Sequence, residues 1–100
     1  MSEFRCYALA VSFYRATRGL KLPVHLRDQL DRAASSVALN LAEGRGRQSA
    51  ADQKRFFGIA LGSARECRAI LELAGVERSS TLGDAADHLT ASVFKLVRGA

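Results

Sequence analysis

Apolar residues recur along this chain at spacings of three and four, and glycines interrupt the pattern at 19, 44 and 75. That rhythm predicts four helices and no strands. The first runs from Glu3 to Arg18 and stops at Gly19. Phe4, Tyr7, Val11 and Tyr14 share one side, and Cys6, Leu9, Phe13 and Ala16 widen the apolar arc. Only Arg5, Ala8, Ser12 and Arg15 make a polar or small face. An arc covering about two thirds of the helix exceeds what one neighbour needs, so this helix is expected to touch two, the second a candidate subunit contact.

Pro23 suits the first position of a second helix, because its missing N–H would be unpaired there anyway. That helix is expected to reach Glu43, with Leu26, Leu30, Ala33, Ala34, Val37 and Leu41 facing the core and Gly44 as a left-handed cap. Ser49 with Asp52 reads as a capping box for a third helix, which ends at Ala74 before Gly75. Its expected buried face is Phe56, Phe57, Ala60, Ala64, Cys67, Ile70 and Leu71. Thr81 with Asp84 repeats the cap signal, and Leu82, Ala86, Leu89, Val93, Leu96 and Val97 line one side of a fourth helix ending at Gly99. Connections of about four to six residues favour antiparallel neighbours. The expected fold is therefore all-α: an up-down-up-down antiparallel four-helix bundle, with residues 1–100 as one domain.

Composition refines this picture. At 100 residues and 48% hydrophobic the core is small, so self-association would help it. The net charge is +5, and twelve of the fifteen basic residues are arginine. Residues 1–55 hold ten basic and five acidic side chains, whereas residues 56–100 hold five of each. A basic excess favours nucleic acid or an acidic partner, although a solvated basic surface gives the same numbers. Cys6 and Cys67 lack metal-ligand spacing and read as small buried hydrophobes. Glu3 and Arg5 interrupt any leading apolar run, and no run approaches the ~18 residues of a membrane span. The expectation is a cytoplasmic protein without membrane contact.

Three constellations carry chemistry. On the second helix His25, Gln29, Arg32, Ser36, Asn40 and Glu43 form a polar stripe beside the apolar face. It is either a binding stripe or a hydrogen-bond network that fixes helix register. The corner between helices two and three holds Arg45 and Arg47, with Lys54 and Arg55 one turn on. Glycines at 44 and 46 allow close backbone approach, and the free N–H groups starting the third helix suit a phosphate. This is the candidate contact to an RNA or DNA backbone. The corner has no aromatic of its own for base stacking, and its arginines have Glu43 and Asp52 as alternative partners. EGRGR also lacks the Lys-Ser/Thr pair of a P-loop. The third constellation is Gly58 and Gly62, four apart in mid-helix. Each costs about 1 kcal/mol against Ala, which points to a close helix neighbour. With Leu39 and Leu61 they make a candidate subunit interface. Ser63, on the buried face, is expected to bond back to the Ile59 carbonyl. No metal, cofactor or catalytic constellation is evident. Two carboxylates in a cleft, Glu43 and Glu66, are a distant third option.

RAASSVALNLAEGRGR followed by FFGIALGSARE resembles the four-helix-bundle proteins encoded in 23S ribosomal RNA intervening sequences, also labelled S23 ribosomal-like proteins. The accessory variability determinant of diversity-generating retroelements is related. The pattern falls on Arg32, Ala33, Ser36, Asn40, Ala42, Glu43, Gly44, Arg47, Ile59, Ala60, Gly62, Ser63 and Glu66, with Leu41 where the family has Ile. The resemblance implies a bundle assembling as a ring-forming homo-oligomer, a homopentamer. For retroelement relatives it implies binding of nucleic acid and of a reverse transcriptase through a basic surface. The resulting expectation is a non-enzymatic oligomer that docks RNA or DNA phosphates on Arg45, Arg47, Lys54 and Arg55. A polar network of Arg32, Ser36, Asn40, Glu43, Ser63 and Glu66 would hold it together. The alternative is a structural or protein-interaction scaffold that binds no nucleic acid.

Overall fold

The computed structural model describes residues 2–99. Four helices follow in order: α1 (Glu3–Thr17), α2 (Val24–Arg45), α3 (Ala50–Leu73) and α4 (Thr81–Gly99). No strand occurs among the described residues. Side-chain caps fix two of the starts: Ser2 Oγ accepts from the Arg5 N–H, and Ser49 Oγ accepts from the Asp52 N–H. At the start of α4, Ser80 rather than Thr81 does this, taking the Gly83 N–H at 3.0 Å. Its carbonyl then accepts the Asp84 N–H at 2.8 Å, one residue earlier than the sequence signal suggested. Pro23 lies just outside α2 as its N-cap and offers only its carbonyl, to the N–H groups of Leu26 and Arg27.

Gly44 is not the left-handed cap the sequence suggested. It is helical and buried, and α2 continues to Arg45. The reason is steric: a Cβ at 44 would lie 2.5 Å from Phe57 Cε1 and 3.2 Å from Phe56 Cβ. Glycine serves there to let α3 approach α2. Gly75 is the described residue that takes up a positive φ, at 81°. It closes α3 with a Schellman pair, Gly75 N–H to Glu72 O and Val76 N–H to Leu71 O.

Each helix packs on its chain neighbours, and α4 closes the bundle against α1. The pairing is antiparallel: Ser36 meets Ser63 between α2 and α3, Arg68 meets Asp87 between α3 and α4, and Cys6 meets Ser92 between α1 and α4. The result is a four-helix bundle of 40 × 24 × 18 Å. Its core runs through Phe13, Leu30, Val37, Leu41, Phe57, Leu89 and Val93. Burying each such side chain contributes about 1.5–3 kcal/mol. Ala10, Ala34, Ala60 and Ala64 lie among them and keep the helices close. Buried hydroxyls are satisfied within their own helices: Thr17 donates to Tyr14 O, Thr90 to Ala86 O, and Ser92 to His88 O.

Candidate nucleic-acid interface

The four corner cations sit where α2 gives way to α3, and the turn between them is tightly built. Gly46 and Arg47 bond back to the carbonyls of Glu43 and Gly44. The Gln53 side chain donates to Arg47 O at 2.9 Å, tying the turn to the first coil of α3. Arg47 pairs with Glu43 at 2.9 Å, and Arg55 lies 3.6 Å from Asp52. Lys54 is exposed and makes no ion pair among the described residues. Four cations against two carboxylates leave the corner positive.

Aromatic rings hold the arginines. The Arg47 guanidinium carbon lies 4.7 Å from the Phe56 ring centre and that of Arg55 lies 4.3 Å from it. Arg45 instead reaches α1, 5.4 Å from Phe4 and 5.7 Å from Tyr7. The absence of an aromatic from the corner, inferred from sequence neighbours, is therefore corrected by the fold. Packing of this kind is worth roughly 0.5–1 kcal/mol at exposed sites and limits where a flexible side chain can point. Arg47 Nε is buried without a hydrogen-bond partner among the described residues, so the ring and Glu43 together set its position. A signal for Phe56 was available. Adjacent residues on a helix point about 100° apart, so Phe56 and Phe57 cannot both face the core centre. Phe57 is buried and Phe56 half-buried at the edge.

The antiparallel arrangement also concentrates charge. At the end where α1 and α3 begin and α2 and α4 finish, Arg5, Lys95 and Arg98 join the four corner cations. Among the described residues, the side chains of Glu3, Glu43 and Asp52 oppose these seven basic groups. The other end holds eight basic and seven acidic residues. The excess noted in the first half of the sequence is, in space, mainly an excess at one end of the bundle.

The proposed polar network divides. Ser36 Oγ and Ser63 Oγ lie 2.8 Å apart across the α2–α3 seam. Asn40 Nδ2 donates to Ser36 O at 2.9 Å and to Ser36 Oγ at 3.0 Å. Ser63 therefore bonds across the seam and not back to Ile59, because the 63 position faces α2. Glu43 belongs to the corner through Arg47. Arg32 and Glu66 are exposed, and neither forms an ion pair among the described residues.

Of the candidate interface residues, Gly58 and Gly62 are exposed, with nothing within 4 Å of where a Cβ would sit. Leu39 is 67% exposed, and Ile59 and Leu73 extend the outward apolar surface. Leu61 departs from the expectation: it is 8% exposed and packed into the core. It shares a side of α3 with Arg68, seven residues on, which pairs with α4, so α4 rather than solvent or a partner lies on that side. Sequence reasoning also missed Arg27. It donates to the carbonyls of Thr17 and Leu20 and holds Asp31 at 2.7 Å, locking the α1–α2 turn.

Both thiols are buried. Burial pushes the Cys67 thiol up to about 12, with nearby Glu66 adding to the shift. Burial likewise raises Cys6. Among the described residues no three His, Cys, Asp or Glu side chains gather as a metal-binding group.

These features define a small all-α protein: a four-helix bundle with a serine–asparagine seam and an aromatic-braced basic turn. The chain belongs to the 23S rRNA-intervening sequence protein family, whose family model matches residues 5–95. No curated protein and no solved structure matches it. No helix among the described residues is long and apolar enough to cross a membrane.

Proposed function

We propose that this protein is a non-enzymatic, cytoplasmic helical-bundle oligomer that docks on the phosphate backbone of RNA or DNA. The basic α2–α3 corner is the contact surface. One observation carries the reading: seven basic groups against three acidic ones share one end of the bundle. Arg45, Arg47 and Arg55 are held there on aromatic rings. Phosphate docking needs such fixed cations and no base-reading groups. Ring assembly, a homopentamer by family resemblance, would repeat this basic end around an axis and multiply weak contacts. A reverse transcriptase is a further partner if the gene lies in a retroelement.

The test is a titration of labelled duplex DNA and structured RNA at 50 and 200 mM salt. With about four phosphates neutralised per chain, duplex affinity should fall on the order of 100-fold between these salts. Charge reversal of Arg45 and Arg47 should abolish binding while leaving assembly intact. No binding at 50 mM salt would refute the proposal.

A second reading has its own support. Glu43 and Asp52 already engage Arg47 and Arg55, and Gly58, Gly62, Leu39 and Ile59 leave a smooth outward surface. A protein-interaction scaffold built on that surface would leave both nucleic-acid titrations flat and still assemble.

A further inference from the structure

A second basic surface lies between α3 and α4, away from the corner. Arg65, Arg68 and Arg78 converge there on an open groove of about 410 Å³, whose floor and wall include Thr90, Ala91 and Phe94. A volume of this order lies within the range of ligand sites. One carboxylate, Asp87, opposes the three arginines, and both of its oxygens are engaged. Oδ1 lies 2.6 Å from Arg68 Nε, and Oδ2 lies 3.4 Å from Arg78 Nη1. Arg78 holds that longer contact while largely exposed, and Arg65 has no ion pair among the described residues. Counted over the residues that line it, the groove is net positive, while Glu72 and Glu77 lie in the adjoining pocket that Arg68 and Arg78 also line. The groove also keeps an aromatic ring partly in solvent, since Phe94 is 41% exposed.

One line of α3 positions leads from the groove toward the corner. Lys54, Gly58, Leu61, Arg65 and Arg68 follow one another at spacings of four and three, which puts them on one side of α3. Lys54 is thus a corner cation and also the head of this line, about 16 Å along the helix from Arg65. Arg98, four residues beyond Phe94, continues the α4 side toward the same end.

We infer that the α3–α4 groove binds a single-stranded segment of nucleic acid, with an unpaired base stacked on Phe94 and flanking phosphates on Arg65, Arg78 and Lys54. The inference rests on the nucleic-acid reading above and adds a strand class and a path to it. Charge complementarity selects a polyanion, and the exposed ring selects one whose flat bases are free. A duplex keeps its base faces inside its own stack, so it can meet the arginines but not Phe94.

The experiment compares an oligouridylate of about 12 nucleotides, within typical single-strand site sizes, with a duplex of equal length. Anisotropy at 50 mM salt reads wild type, Phe94→Ala, Phe94→Tyr, Arg65→Glu and the Arg45→Glu/Arg47→Glu corner variant. Phe94→Ala should weaken oligouridylate roughly 5- to 10-fold, Phe94→Tyr should restore it, and duplex affinity should stay unchanged. The corner variant should abolish duplex binding and weaken oligouridylate. Unchanged oligouridylate binding by Phe94→Ala, with the wild type still binding, overturns the groove and leaves the corner standing. If circular dichroism shows Phe94→Ala unfolded, Arg65→Glu decides: a several-fold loss supports the groove, and wild-type affinity overturns it. Binding of neither probe by the wild type overturns both readings. A polyglutamate peptide bound with the same dependence on Phe94 would overturn the assignment to nucleic acid.

Discussion

The hydroxyls of Ser36 and Ser63 lie 2.8 Å apart, joining the middle of α2 to the middle of α3. Asn40 donates to the same Ser36 hydroxyl and to the Ser36 carbonyl, so three polar side chains share one half-buried seam. The pair fixes how α2 and α3 slide along each other. That register in turn carries Gly44 against Phe57 and sets Phe56 beneath the corner arginines.

Replacing either serine by alanine should cost about 1 kcal/mol, because the surviving hydroxyl loses its cross-helix partner. The double variant should cost less than the sum of the two. A double-mutant cycle from urea melts reads the coupling, expected at about 0.5–1.5 kcal/mol. Strict additivity would mean that the two groups do not act as a pair.

The glycines of α2 and α3 should behave oppositely. Gly44→Ala should destabilise by about 1–2 kcal/mol, since its Cβ would press on the Phe57 ring and offset any gain in helix propensity. Gly58→Ala and Gly62→Ala meet nothing within 4 Å and should each stabilise the isolated fold by up to about 1 kcal/mol. If that surface packs on another copy, the same two changes should also break assembly. Melting curves and light scattering on the same samples separate the two effects.

Arg27 should matter more than a surface arginine. Its guanidinium serves Thr17 O, Leu20 O and Asp31 together, and its side chain is 23% exposed. Arg27→Ala should cost about 2–3 kcal/mol, and Arg27→Lys most of that, because an ammonium cannot span all three acceptors. Hydrogen exchange should show loosened protection at the end of α1. An effect below ~0.5 kcal/mol would assign the turn's stability to packing alone.

Alkaline stability should follow Cys67. In the unfolded chain the thiol titrates near 9.0, whereas in the fold it is pushed up to about 12. Between those values the unfolded chain releases a proton that the folded chain retains. Stability is therefore full below about pH 9 and falls as pH rises toward about 12, by about 1.4 kcal/mol per pH unit at its steepest. Cys67→Ala should lose this component of the slope, read from urea melts at mildly and strongly alkaline pH. Both thiols should resist alkylation until the chain is unfolded.

Most of the architecture was legible in the residues. Helix existence follows from local periodicity, and helix ends follow from caps whose hydrogen bonds span three or four residues. Ser49 and the stop at Gly75 were readable for that reason. The family pattern from Arg32 to Glu66 is likewise a local string. One error was local, since Ser80 displaced Thr81 by one residue, whereas Gly44 proved a packing glycine and not a cap because Phe57 of α3 lies against it.

The sequence by itself determined four amphipathic helices, their order and their family, because these depend on contacts within a turn or two of each residue. Only the tertiary structure decided what those helices present to each other. Helix rotation and antiparallel register brought Phe4 and Tyr7 under Arg45, turned Ser63 toward Ser36 and buried Leu61. They also gathered much of the charge excess of residues 1–55, with Lys95 and Arg98, at one end of the bundle, and brought Arg65, Arg68 and Arg78 together from a half of the chain with no net charge. Such partners are tens of residues apart in the chain. Their meeting is set by how the apolar stripes interlock, which no local spacing encodes.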